Sequence, residues 1–158
     1  RRYGLYLGGH RRTMGAGEMS EPFFRPWAEI RAGEQAELTV TMDDARVRAF
    51  SALIGDTDSF HVSDEAAART VFQTRICHGV HLLAYVSVTI GQKLPGFGTT
   101  YVSHQFTFRA PVYIGDTVTV RITVLEKLEH RRLLLETAIR RGDGAEVLTG
   151  QAVVKTYC

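Results

Sequence analysis

The sequence is poor in cysteine and has almost no net charge. Only Cys77 and the final Cys158 occur among 158 residues, which argues against a disulfide framework and fits a reducing compartment. The net charge of +2 gives no support to non-specific nucleic-acid binding. No apolar run approaches the roughly 20 residues that a membrane span needs. We therefore expect a cytoplasmic protein that has neither nucleic acid nor membrane as a partner.

The length and composition indicate one globular domain that follows a short leader. A chain of 158 residues is most simply one domain and is long enough to bury a core without covalent links. Residues 1–20 differ from the rest because they contain four arginines and no acid before Glu18. We expect a flexible leader over residues 1–20 and a domain over residues 21–158. A mitochondrial transit segment is the alternative for the leader, since such segments are also rich in Arg and poor in acids.

The first half of the domain shows a strand followed by two helices of different character. Polar and apolar residues alternate over residues 37–41, which predicts a strand. Thr41 and Asp44 together indicate a helix start, and Gly55 indicates its end, so that Phe50, Leu53 and Ile54 are expected on the buried side. A run that begins at Gly79 and ends near Gly91 is apolar on nearly all sides, which is typical of a buried helix.

The second half of the domain consists of strands. Alternation or dense apolar character marks four segments, at residues 101–108, 118–124, 133–139 and 147–157, and glycine and aspartate supply the turns between them. One apolar helix and five antiparallel strands predict an α+β fold in which the sheet wraps the buried helix.

Asp56 and His61 are the first candidates for chemistry. They lie five residues apart in a loop that follows a helix end, where side chains are free to face a cleft. A carboxylate and an imidazole together can accept a proton from one atom and donate one to another. The alternative, that Asp56 only turns the chain and His61 packs beside Phe60, is about equally compatible with these two residues alone.

His78 and Gly79 open the apolar helix. The first N–H groups of a helix lack internal partners and carry partial positive charge, and a glycine lets a ligand oxygen approach closely, as in an oxyanion hole. A glycine needed only for helix entry is the alternative. Cys77, His78 and His81 do not form a recognisable metal pattern, so no metal is expected, and Cys77 is expected to be structural. No glycine-rich phosphate loop is present, so no cofactor is expected.

Four segments together resemble the MaoC-like, (R)-specific enoyl-thioester hydratases and dehydratases of the hot-dog fold, over about residues 35–156. The family's loop places Asp, then Asn-Pro, then His, and here reads Gly55-Asp56-Thr57-Asp58-Ser59-Phe60-His61. The His-Gly pair that opens the family's central helix stands here as His78-Gly79. Residues 94–98 (LPGFG) and 106–116 (FTFRAPVYIGD) also match.

The resemblance implies a single hot-dog domain, in which a five-stranded antiparallel sheet wraps a central helix beneath an overhanging catalytic loop. It implies hydration of trans-2-enoyl-CoA or acyl-carrier thioesters to (R)-3-hydroxyacyl thioesters, and the reverse dehydration, without a cofactor. It also implies a homodimer joined through sheet edges. Its site assignments are Asp56 and His61 as acid–base residues, the Gly79 N–H at the thioester oxygen, and Ser87, Asp58 and His78 in support.

Asp58-Ser59 departs from the family, which has Asn-Pro at these positions. A second carboxylate beside Asp56 is expected to raise a carboxyl pKa, and the loss of proline is expected to loosen the loop. Both catalytic positions remain, so the departure bears on substrate range and rate more than on reaction type. Two alternatives stay open: a hot-dog thioesterase, and a non-catalytic acyl-thioester-binding protein in which Asp58-Ser59 marks the decay of the site.

Overall fold

The computed structural model describes residues 22–57 and 59–157. The leader expected at residues 1–20 and the site residue Asp58 lie outside these ranges. The described elements are, in chain order, β1 (Gln35–Thr41), α1 (Asp44–Ile54), α2 (Asp64–Ala67), α3 (Gly79–Gln92), β2 (Thr99–Phe108), β3 (Thr117–Leu128), β4 (Arg132–Arg141) and β5 (Glu146–Thr156).

The five strands form one antiparallel sheet in the order β1-β3-β4-β5-β2. Their alternation is the one visible in the sequence: in β3 the side chains of Val118, Val120 and Ile122 are fully buried, while Arg121 between them is exposed. The sheet therefore has one apolar face and one polar face. This arrangement confirms the predicted α+β, five-stranded hot-dog architecture.

Helix α3 packs on the apolar face of the sheet and completes the core. Its buried residues, Leu82, Val86 and Ile90, follow helical spacing and join the buried side chains of the strands in one cluster. The sequence suggested that the helix is buried on nearly all sides. The structure differs, since Val80 and Val88 are 55% and 37% exposed. One face of α3 thus remains apolar and uncovered within the chain.

Helix α1 differs in two details from its sequence-based description. Its N-cap is Asp43, whose side chain accepts a hydrogen bond from the Arg46 N–H at 2.8 Å, whereas Thr41 ends β1. The helix buries only the narrow stripe of Val47 and Ser51, one turn apart, so the expected burial of Leu53 and Ile54 is wrong. Gly55 does end the helix, in the left-handed conformation at φ 77°.

Two contacts position the segment that leads into α3. The side chain of Arg75 is buried and donates to Asp44 at 2.6 Å and to Asp64 at 2.7 Å, so it ties the starts of α1 and α2 together. The next residue, Ile76, forms a β-bridge with Tyr113. The segment that leads into α3 is therefore anchored to α1, to α2 and to the segment before β3. None of the described helices is long and apolar enough to cross a membrane.

Candidate active site

Asp56, His61 and His78 meet where the loop after α1 faces the first turn of α3. Each offers one nitrogen or oxygen atom, and these three atoms lie within 4.8 Å of one another. Asp56 and His61 come from the loop, and His78 is the N-cap residue of α3. The structure thus brings together the two predicted catalytic residues and one of the three predicted supporting residues.

His78 contacts the carboxylate of Asp56 directly. Its Nε2 atom lies 2.7 Å from Asp56 Oδ2, and since a carboxylate only accepts, His78 donates through Nε2–H. The Oγ atom of Ser51, in the buried stripe of α1, lies 3.3 Å from the same nitrogen. His78 itself is 6% exposed, so its ring has little freedom and fixes the position of Asp56.

His61 is held in one tautomer by the backbone. Its Nδ1 atom lies 2.8 Å from the carbonyl oxygen of Ile76, which can only accept, so the hydrogen is on Nδ1 and Nε2 keeps a free lone pair. The ring stacks on that of His78, with the centroids 3.8 Å apart. Burial lowers the pKa of His61, and the nearby His78 lowers it further. The neutral imidazole is therefore favoured at neutral pH, with Nε2 available as a proton acceptor.

Asp56 is a carboxylate with one oxygen engaged and one free. Oδ2 accepts hydrogen bonds from the Ser59 hydroxyl and from His78, each at 2.7 Å, and Oδ1 has no recorded partner in the described part of the chain. These two donors, Ser59 first, lower the pKa of Asp56. The raised carboxyl pKa expected from a second carboxylate at Asp58 stays a prediction, because Asp58 lies outside the described residues. Among the described residues, the hydrogen bonds from Ser59 and His78 act on Asp56 in the opposite direction.

Gly79 is the first residue of α3, where no side chain caps the helix N–H groups. A Cβ atom at this position would lie 2.7 Å from Cζ of Phe108 on β2. The ring of Phe108 therefore gives a packing reason for glycine here, in addition to the close approach of a ligand. The half-exposed Gly79 remains next to His78 and thus beside the Asp56 cluster.

The structure does not bring Ser87 into this cluster within one chain. Ser87 is exposed and follows Gly79 by eight residues, which is about 12 Å along a helix. It lies on the same face of α3 as Val80 and Val88. Any support that it gives to a site thus depends on what covers that face.

The other sulfur and nitrogen groups near α3 have structural surroundings. Burial raises the pKa of the Cys77 thiol to about 12, so Cys77 is not a nucleophile at neutral pH. His81 stacks on Phe50, with the ring centroids 4.3 Å apart. The ligand atoms of Asp56, His61 and His78 lie close enough to one another to hold a cation. In this structure Asp56 and His78 are joined by a hydrogen bond, and His61 stacks on His78.

The main feature that the sequence did not reveal is the role of Ser59. Its side chain lies between the two predicted catalytic residues: the hydroxyl donates to Asp56, and Oγ accepts the backbone N–H of His61 at 3.2 Å. The available signal was the spacing, because a serine that follows an aspartate by three residues in a turn can hydrogen-bond locally.

A small cavity opens beside Asp56. It has a volume of about 240 Å³, and its lining includes Arg48, Ser51, Thr57 and Val62 as well as Asp56. A larger groove of about 770 Å³ lies on the polar face of the sheet and includes none of these residues. With 30% of its side chain exposed, Asp56 is accessible from the small cavity, whose lining includes neither His61 nor Gly79.

Comparisons with known proteins identify the family of this chain. An (R)-specific enoyl-CoA hydratase of Rhodospirillum rubrum is 36% identical over 126 residues, which is 80% of this chain and 88% of that protein. A 3-hydroxybutyryl-CoA dehydratase of Methylorubrum extorquens is 39% identical over 128 residues, which is 80% of this chain and 81% of that protein. The unliganded R-hydratase of Pseudomonas aeruginosa superposes with a TM-score of 0.79 at 35% identity, covering 83% of this chain and 84% of that one. The model of the MaoC like domain matches residues 28–141, and the chain therefore belongs to the MaoC-like dehydratase family.

Proposed function

We propose that this protein adds water to the double bond of a trans-2-enoyl-CoA thioester to give the (R)-3-hydroxyacyl thioester, and catalyses the reverse dehydration. The observation that carries the proposal is the pair of free acceptors in the site. Asp56 Oδ1 and His61 Nε2 both lack a partner among the described residues, while every other polar contact of the two side chains fixes their orientation. The (R)-specific hydratase relatives support the substrate class and the stereochemistry.

The two acceptors suit a bound water. A water molecule can donate one hydrogen to Asp56 Oδ1 and the other to His61 Nε2, which leaves an oxygen lone pair for C3 of the enoyl group. As the C3–O bond forms, one acceptor takes a proton from the water, and that proton is then delivered to C2. The two hydrogens of the water thus end on the new hydroxyl and on C2. His61 is the better proton carrier, because the ordinary pKa of an imidazole lies nearer to neutral than that of a carboxyl.

Negative charge develops on the thioester oxygen while the C3–O bond forms. We assign the N–H of Gly79 to this oxygen, since it is at the uncapped, positively polarised end of α3 and directly follows His78. His78 then has two roles: it begins the helix that supplies the amide, and it donates to Asp56. His78 thereby fixes the position of Asp56 relative to the Gly79 amide.

Two substitutions test the assignment with minimal change of shape. In Asp56→Asn the amide oxygen can still accept from Ser59 and His78, which places the NH₂ group where Oδ1 was, so an acceptor becomes a donor. In His61→Asn the amide can still donate to Ile76, but Nε2 is lost. Each change is expected to lower turnover by about 100-fold or more while the fold is kept. The assay is the loss of the conjugated enoyl absorbance of crotonyl-CoA, with thiol release and circular dichroism measured in parallel.

The same assay separates the alternatives. Loss of enoyl absorbance without free thiol is hydration, release of free thiol is thioester hydrolysis, and neither signal in the wild type leaves only binding. Wild-type turnover in either variant would overturn the roles of Asp56 and His61. Comparison of crotonyl-CoA with the crotonyl thioester of an acyl carrier protein shows which carrier is preferred, and the CoA-specific names of the relatives favour CoA.

We also propose that two copies of the chain associate through β2 and the uncovered face of α3. β2 is an edge strand, and exposed apolar side chains lie on it and on the adjoining helix, including Val102 at 49% and Val80 at 55%. Ser87 lies on this face and would be covered in the dimer. Sedimentation velocity should show a dimer for the wild type and a monomer for Val88→Glu. Val71→Glu is the control, because Val71 is 92% exposed and outside this face; dissociation by both changes equally, or a monomeric wild type, would contradict the proposal.

A further inference from the structure

We propose that Ser59 is a positioning residue for the hydration reaction, because its side chain ties the backbone of His61 to the carboxylate of Asp56. The effect on turnover rests on the proposed function, whereas the hydrogen bonds of Ser59 do not depend on it. Ser59 occupies the position at which the family pattern has proline, which has no hydroxyl. The chain thus holds its catalytic loop by a side-chain contact that a proline cannot make.

The directions of both hydrogen bonds follow from the chemistry of the partners. Ser59 Oγ lies 2.7 Å from Asp56 Oδ2, and since the carboxylate only accepts, the single hydroxyl hydrogen is donated to it. The backbone N of His61 lies 3.2 Å from the same Oγ, which accepts its hydrogen. Ser59 therefore joins the two catalytic residues, one through its side chain and the other through its main chain.

The backbone of Ser59 also organises the turn. Its carbonyl oxygen accepts the N–H groups of Val62 and Ser63, each at 3.1 Å. The segment from Asp56 to Ser63 is thus closed by hydrogen bonds that converge on one residue. A proline at this position would keep this carbonyl and limit the backbone through its fixed φ, whereas serine adds the two bonds of its hydroxyl. In this proposal those two bonds oppose the loosening expected from the loss of proline.

The contact also decides which oxygen of Asp56 can react. Ser59 and His78 both donate to Oδ2, and this leaves Oδ1 free to accept from a water. The same two donors favour the ionised carboxyl and hold the pKa of Asp56 below its ordinary range. The other groups that bear on Asp56 are His61 in the same loop and Arg48 of α1, which borders the same cavity.

The experiment compares side chains of one shape with and without the hydroxyl. Ser59→Thr keeps the hydroxyl and Ser59→Val, of nearly the same shape, removes it; Ser59→Ala removes it without added bulk. We expect turnover to fall about 10-fold in the Val and Ala variants and to stay within about three-fold of wild type in the Thr variant. KM should change little, because the Ser59 hydroxyl is occupied by Asp56. The acid limb of kcat/KM should move to higher pH in the Val and Ala variants only.

A matched control is available in the same loop. Ser63→Ala removes another hydroxyl, one that caps α2 by accepting from the Ala66 N–H at 3.1 Å and makes no recorded bond to Asp56. It should lower the melting temperature without moving the acid limb. Ser59→Pro, the family-like residue, should behave like Ser59→Ala in its pH profile. If Ser59→Pro keeps the wild-type profile, or if Ser63→Ala shifts it as much as Ser59→Ala does, Ser59 acts only on general loop stability and the proposal is overturned.

A readout that is independent of turnover separates this proposal from the proposed function. The carboxyl ¹³C resonance of Asp56 can be titrated by NMR in the wild type, Ser59→Thr and Ser59→Val. A higher Asp56 pKa in Ser59→Val but not in Ser59→Thr supports the contact even if the wild type hydrates no enoyl thioester. An identical Asp56 pKa in all three proteins refutes it even if the wild type is an active hydratase.

Discussion

Gly150→Ala is expected to destabilise the pairing of β5 with β2, a strand at the edge of the sheet. Gly150 of β5 is opposite Phe106 of β2, and a Cβ atom at position 150 would meet the carbonyl oxygen of Gln105 and lie 2.8 Å from Cβ of Phe106. These neighbours are backbone or the first side-chain atom, so no rotamer change can make room. The edge strand itself has to move away from β5.

The size of the effect follows from the cost of overpacking. Forcing an extra carbon into a tightly packed position costs about 1–3 kcal/mol, and the upper part of this range, about 3 kcal/mol, applies because the backbone has to yield. For a chain of this length about 1 kcal/mol shifts the melting temperature by roughly 2–4 °C. We therefore expect a decrease of about 6–12 °C in thermal unfolding followed by circular dichroism.

Gly142→Ala is the matched control for this experiment. The nearest atom to an added Cβ at position 142 is the Thr117 carbonyl oxygen at 3.5 Å, an ordinary contact. It should leave the melting temperature nearly unchanged, or raise it slightly through the reduced entropy of the unfolded chain. If both variants melt at the same temperature as the wild type, the close approach of β2 to β5 at Gly150 is refuted.

Three further predictions concern the site and its supports. Burial lowers the pKa of His61, His81 and His104 below their ordinary value of 6.5. At pH values below about 6.5 the unfolded chain therefore binds more protons than the folded one. The free energy of unfolding should thus fall as pH drops from about 6.5 towards the folded-state pKa values. Urea midpoints measured against pH check this, and His104→Asn should reduce the slope; an unchanged slope would contradict the lowered pKa of His104. Arg75→Met should reduce stability by about 1 kcal/mol and speed proteolysis of residues 55–63, while Arg69→Met, which loses only an exposed pair with Glu65, should do neither. Gly79→Ala should lower turnover because its Cβ meets the Phe108 ring; adding Phe108→Leu should restore part of it, and no recovery would show that Phe108 is not the obstacle.

Much of the fold could be predicted because the sequence pattern is local. Alternation in β3 places Val118, Val120 and Ile122 on one face whatever the partner strands are, and Gly55 ends α1 because it adopts a positive φ. The errors occurred where tertiary packing decides. The apolar character of Leu53 suggested burial, but α1 packs only through Val47 and Ser51, so Leu53 is 83% exposed.

The candidate site also has some features that the local sequence predicts and others that depend on tertiary packing. The spacing of Asp56 and His61 in a loop indicates that they can approach each other, but it does not show that His78, 22 residues away, donates to Asp56 at 2.7 Å. Nor does it fix which oxygen of Asp56 is engaged, since that depends on where Ser59 and the first turn of α3 meet. Both the His78–Asp56 hydrogen bond and the choice of the engaged oxygen depend on contacts between different elements, so the pattern within one segment does not predict them.

The segment between β2 and β3 shows how a distant part of the chain affects His61, the proposed catalytic histidine. Val112 accepts the backbone N–H of Cys77 at 2.7 Å, and Tyr113 forms the bridge with Ile76. The carbonyl oxygen of Ile76, held in this way, is the acceptor that fixes the tautomer of His61. Residues 109–116 therefore set the base of the site although none of them touches Asp56 or His61 in the recorded hydrogen bonds. A shift of this segment would move the Ile76 carbonyl and release His61 Nδ1–H, which ties the proton chemistry of the loop to the packing of the sheet.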